Sequence, residues 1–189
     1  MNDVETTVVN ILAGPEIQKI NSFTFYGKHF TAMTFGNIKS LVESGFIKVA
    51  YDEKLNGQAA YDYGNNTLYL GFKNTTELTK KALVVHEAVH AVYDMVKMKM
   101  SVADSEAIAY IVQCQYARAN SNSSDPNDRL FSSNKANDKV FEVGWRIAGK
   151  LLGKDSSPLT DSDYAAMREA VSQHTFYAGK AAGSAGFNG

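Results

Sequence analysis

The chain holds a single cysteine, Cys114, in 189 residues. One thiol cannot close an internal disulfide, and with no CxxC pair or Cys/His cluster there is no thiolate metal site to consider. A reducing compartment is compatible with that usage. An excess of charge of either sign is also missing: 19 basic residues stand against 20 acidic ones, for a formal net charge of -1. That balance offers no electrostatic footprint for nucleic acid or for an anionic membrane surface. No apolar run approaches the roughly 18–20 residues of a membrane-spanning helix. The stretch MNDVETTVVNILAGPE carries Asp3 and Glu5 where a secretory signal would be positive, and Asn10 interrupts its short apolar run. The expectation is a protein without a Sec signal, either cytoplasmic or exported by another route.

What is present is ordinary globular material. Hydrophobic residues make up 44% and charged residues 21% of a chain long enough for one domain with a core. The reading is a single domain over residues 1–178, followed by a flexible Gly/Ala-rich tail at 179–189.

An amphipathic piece ends near Gly14-Pro15, and SFTFYGKHFTAMTF follows, its aromatic and β-branched residues favouring strand. FGNIKSLVESGF sets Ile38, Leu41 and Val42 at helical spacing and stops at Ser44-Gly45, where glycine tolerates the left-handed cap. FIKVAYDE alternates Ile47, Val49 and Tyr51, and NTLYLGFK comes after a turn-like YDYGNN, so these two segments are expected as paired antiparallel strands. The longest helical signal covers about residues 76 to 98, with Val85, Ala88, Val89, Val92 and Val96 on one stripe and Asn74 or Thr76 as the cap. SVADSEAIAYIVQCQYARAN predicts a second helix capped by Ser101 or Asp104, joined to the first by a short turn around Met100. SNSSDPNDRLFSSN reads as a long surface loop that either gates access or simply connects. KANDKVFEVGWRIAGKLLG predicts a helix, and another begins near Thr160, where LTDSDYAAMREAVSQH supplies a cap and early acidic residues. Strands first and helices after make the fold class α+β.

The chemistry is concentrated in ALVVHEAVHAVYD, residues 82–94. On a helix, positions i and i+4 lie one turn apart on one face, so His86 and His90 aim their imidazoles at a common point and can share one cation. Neutral imidazole is a good zinc ligand, and two supply half of a tetrahedral site. Glu87, rotated by about 100° from His86, lies beside such an ion instead of on it, where a general base belongs. The plain alternative is a pair of satisfied histidines in a buried helix with a surface glutamate. Burying two titratable rings and a carboxylate without purpose is costly, which weighs against it.

The segment HEAVH has the form H-E-x-x-H, and here the chain resembles the zincin metallopeptidases. The resemblance implies a zincin-like fold, a small antiparallel sheet followed by the active-site helix and further helices. It implies Zn2+ as cofactor, His86 and His90 as its ligands, and Glu87 as the base that takes a proton from the metal-bound water. No further histidine follows His90 in AVYDMVKMKM, so the metzincin pattern fails. Gluzincins take a carboxylate from a following helix instead, and ADSEAIAY offers Glu106, sixteen residues after His90. Glu106 is the implied third ligand, with Asp104 and His174 as alternatives; the short N-E-x-x-S-D form of some relatives is absent. Asp94 is either a group that orients a ligand imidazole, as partners behind metal ligands commonly do, or an exposed helix charge. NTLYLGF would be either the edge strand that pairs with an extended substrate or a plain core strand. Tyr110, Tyr93, His174 and Tyr177 are candidate donors to an oxyanion.

The implied function is hydrolysis of peptide or protein substrates, with no nucleic-acid and no membrane partner. The small size and missing signal are also similar to zincin-like domains of bacterial effectors and toxins. Two other classes stand beside the enzyme: a metal-dependent peptide-binding or regulatory module, and a structural helical protein with no metal.

Overall fold

Asn2 and Glu5 close a capping box at the start of helix α1 (Asp3–Ala13), each side chain taking the other's backbone N–H at 2.7–2.9 Å. The computed structural model describes residues 1–121, 135–152 and 158–188. The segment 122–134, expected as the surface loop, lies outside the described residues. Strands β1 (Phe23–Phe25) and β2 (Lys28–Phe30) form a two-stranded hairpin around Tyr26-Gly27, both at positive φ. That pair of left-handed residues is what a tight hairpin turn requires. The residues after it leave the strand-like pattern and enter helix α2 (Thr34–Glu43), which stops at Ser44 with Gly45 at φ +76.

The main sheet contains β3 (Lys48–Tyr51), β4 (Ala59–Asp62) and β5 (Thr67–Leu70) in the order β3-β5-β4. Here the structure corrects the expected pairing. The segments of FIKVAYDE and NTLYLGFK run parallel, Lys48 opposite Thr67 and Tyr51 opposite Leu70, while β4 supplies the antiparallel partner of β5. Alternation of apolar residues reports that a segment is a strand and not the direction of its neighbour. The alanines of β4 have low strand propensity, which hid a third strand in the interval. The connection from β3 to β4 crosses the end of β5 at Gly71, whose N–H donates to the Gln58 carbonyl at 2.8 Å. A Cβ on Gly71 would lie 2.6 Å from the Gly57 nitrogen, so only glycine permits that crossing.

Helix α3 (Leu78–Met95) follows, and it is buried on nearly every side. Its expected cap is also corrected: Glu77 occupies the cap position with no side-chain cap bond, and Thr75 accepts the Glu77 N–H instead. A tight turn with Lys97 at φ +50 leads to helix α4 (Val102–Asn120), capped by Ser101 accepting from the Asp104 N–H at 3.1 Å. Helices α5 (Lys135–Leu151) and α6 (Asp161–Gln173) complete the set, α6 opening on a Thr160–Asp163 capping box. Helix α3 packs against α4, and α4 against α5. At Gly144 of α5 the second approach is so close that an added Cβ would meet Cys114 Sγ at 2.8 Å.

Residues 179–188, expected as a flexible tail, are seated on the domain. Val102 and Ala103 donate their N–H groups to the Gly183 and Ala181 carbonyls at 2.8 and 2.9 Å, and Ser184 pairs with Ser101. The first turn of α4 has no intrahelical acceptors for those amides, so the segment supplies them. No helix among the described residues is long and apolar enough to cross a membrane.

Candidate metal centre

The i, i+4 spacing on α3 brings His86 Nε2 and His90 Nε2 to 3.2 Å of each other. Glu106, in the second turn of α4, meets both: its Oε2 lies 3.3 Å from His86 Nε2 and its Oε1 3.4 Å from His90 Nε2. Small residues allow that approach, since Ala107 and Ala109 beside Glu106 and Ala88 and Ala91 on α3 are fully buried. One potential ligand atom from each of the three lies within 4.8 Å of the others, so the group can hold a metal ion.

Both rings are fixed from behind. His86 Nδ1 lies 2.9 Å from Gln113 Oε1, and His90 Nδ1 lies 2.9 Å from Ser105 Oγ, all buried. An amide oxygen only accepts, so Nδ1 of His86 carries the proton and Nε2 presents its other side to the centre. Glu106 Oε2 is buried, lies beside His86 Nε2 and has no hydrogen-bond partner, so the centre has room for a positive charge among the three side chains. Ligand atoms about 2.0–2.1 Å from a tetrahedral ion stand about 3.3 Å apart, close to the 3.2 Å between the two Nε2 atoms, while Glu106 meets one imidazole with each of its oxygens at 3.3 and 3.4 Å. Two nitrogens and one carboxylate, with no thiolate, fit zinc.

The electrostatics follow from burial and proximity. Burial alone would raise the Glu106 pKa, but His90 and His86 outweigh it and hold the carboxyl well below the usual carboxylate range. Burial pulls His90 down, yet the charge of Glu106 and its hydrogen bond push the imidazole up to about 9. Glu87 is pushed the other way from Glu106: burial raises its pKa in spite of both histidines. Its Oε2 accepts the Tyr61 N–H at 2.8 Å, so an outward-facing amide of β4 holds the carboxylate at the edge of the centre.

A cleft of about 480 Å³ opens over the four residues. Ala59, Ala60 and Tyr61 of β4 form one wall, and Tyr177 stands on the other. Compared with family models, with curated proteins and with solved structures, the chain gives no match. The functional reading therefore stands on the geometry of these residues.

Several expected roles move. The strand along the cleft is β4, at the sheet's edge; NTLYLGF forms the central β5. Asp94 accepts from the Tyr61 hydroxyl at 2.9 Å and the Asn188 N–H at 2.8 Å, and the imidazoles are oriented by Gln113 and Ser105 in its place. Asp104 points away from the centre, to Arg168 at 2.7 Å and Lys28 at 3.4 Å, which hold its carboxyl below the ordinary value against burial. His174 packs on Tyr177 and Tyr110, outside the ligand triangle. Tyr93 is turned toward the His29 carbonyl at 3.4 Å, away from the cleft. Of the four candidate donors, Tyr177 lines the cleft and faces Glu106; Tyr110 packs on the His86 ring at 4.7 Å behind it. Gln113 was legible in principle: it lies seven residues after Glu106, two turns along the same face of a helix with little polar reason to be there.

Proposed function

We propose that this chain is a zinc-dependent metallopeptidase with a zincin-like core of the glutamate-ligand kind. The observation that carries the reading is the convergence of His86, His90 and Glu106 on one point, with the Glu106 oxygen unpartnered and Glu87 held alongside. The runner-up classes lack such support: a structural protein has no use for the orphaned oxygen, and a pure binder has no use for Glu87.

A divalent cation held by His86, His90 and Glu106 would supply Lewis acidity toward a peptide carbonyl and lower the pKa of water from 15.7 toward about 7. The chain's own residues do the rest. Glu87 takes a proton from the attacking water and delivers it to the leaving nitrogen, and burial, which raises its pKa, suits it to hold that proton between the two steps. The Tyr61 N–H fixes which way that carboxylate points. Burial keeps the Tyr177 hydroxyl protonated, so it remains a donor to the oxygen on which negative charge develops. The Gln113 amide oxygen holds the His86 imidazole in one tautomer, and Ser105 orients the His90 ring.

The test begins with metal analysis of protein purified without chelator, followed by cleavage of an unfolded protein substrate. Glu87→Gln should keep the metal and lose activity by about 10²–10⁴-fold. A zinc-loaded chain that cleaves no peptide, or a Glu87→Gln variant as active as the parent, refutes the proposal.

A further inference from the structure

Three residues of the segment 184–188 line the cleft. Ala185 donates its N–H to the Met100 carbonyl at 3.1 Å, and Asn188 donates to Asp94 Oδ1 at 2.8 Å, so the segment is anchored on both sides of the opening. Ser184, Ala185 and Phe187 all line the cleft that holds His86 and His90, and of these Ala185 and Phe187 are half-buried while Ser184 is exposed.

Phe187 is the larger of the two half-buried side chains. Its ring stands edge-on to Tyr63 with centroids 6.3 Å apart and 89° between planes, and lies 6.4 Å from the His90 ring at 41°. Both distances fall within the range of favourable aromatic pairs, about 4.5–7 Å. Gly186 makes the seat possible: at φ +80 it lies flat on Tyr63, where a Cβ would meet the ring and hydroxyl at 2.8 Å.

We infer that the cleft contains an aromatic side-chain subsite between Tyr63 and His90, filled in this structure by Phe187, and that a peptide with an aromatic residue takes that place when segment 184–188 lifts away. The inference rests on the proposed peptide-handling role of the cleft and names both its substrate class and an internal competitor. A seat filled by the chain itself in about nine molecules of ten weakens an outside ligand about tenfold.

The experiment uses the zinc-loaded chain carrying Glu87→Gln, so that nothing turns over, and calorimetric titration with N-acetyl-Ala-Phe-Ala-amide and N-acetyl-Ala-Ala-Ala-amide. Adding Phe187→Ala should tighten the phenylalanine peptide about tenfold or more, and the alanine peptide much less. Gly186→Ala, which moves the segment off Tyr63 but keeps Phe187, should act in the same direction. Tyr63→Ala on top of Phe187→Ala should abolish the preference. Unchanged affinity in Phe187→Ala, an equal gain for both peptides, or no binding of either overturns the inference. Because binding is read without catalysis, a chain that hydrolyses nothing yet shows the aromatic-selective gain would sink the peptidase reading and leave the subsite standing.

Discussion

Gln113→Leu removes the acceptor behind His86 while keeping a side chain of similar bulk, and its two consequences can be measured separately. Gln113 is only 2% exposed and its Oε1 lies 2.9 Å from His86 Nδ1. Without metal, the substitution strands a buried N–H, which costs about 1–3 kcal/mol. For a chain of this length each kcal/mol moves Tm by about 2–4 °C, so the chelated variant should melt about 2–12 °C lower. With metal, loss of the group that fixes a ligand's tautomer typically weakens binding about 10–100-fold, or about 1.4–2.7 kcal/mol. Competition against a fluorescent zinc chelator reads that second effect, and melting in excess chelator reads the first. Gln113→Glu restores an acceptor and should recover most of the zinc affinity. A Gln113→Leu variant that stays folded and binds zinc within twofold of the parent would refute the argument that the centre is assembled through this bond.

Glu106→Gln removes the anionic ligand: at zinc about 100-fold above Kd the parent should gain about 5–11 °C in Tm, and the variant should show none of that gain in the same melts. Asp163, fully buried, accepts from Arg146 and Lys150 at 2.8 and 2.7 Å and from Thr160, and these contacts hold its carboxyl well below the usual range against the effect of burial. A depressed folded-state pKa contributes stability above the unfolded value of about 3.9 and loses it as pH falls toward the folded value. Asp163→Asn should therefore cost about 1–3 kcal/mol at pH 7 and flatten the acid side of the stability profile in denaturant titrations. Gly144→Val should cost about 1–3 kcal/mol by forcing α5 away from Cys114, seen as a lower denaturation midpoint.

How much of this was legible in the sequence depends on the range of the signal. The i, i+4 geometry of His86 and His90 is fixed by one helix, and the caps at Ser101 and Thr160 by a few neighbouring atoms, so local spacing sufficed for both. Glu106 required knowing that α4 folds back along α3, which the short turn around Met100 made natural; no spacing rule in the chain itself selected it over Asp104, two residues away. The direction of β3 against β5, the existence of β4 and the seating of 184–188 are settled by contacts across the domain. Each depends on a glycine or a string of alanines at a crossing, residues whose role is to be absent.

The helix pair α3 and α4 could have been an apolar core, and the way it departs from one is informative. Buried polar groups are tolerable when each finds a partner, and nearly all here do: both Nδ1 atoms, the Glu87 carboxylate and Asp94 are bonded within 3 Å. Among the described residues two buried side-chain atoms lack a hydrogen-bond partner: Asn120 Oδ1, at the far end of α4, and Glu106 Oε2, where both imidazoles converge. On the proposed reading, the gap at Glu106 Oε2 is where a cation would sit, and the folding cost of converging three polar groups there is accepted for it.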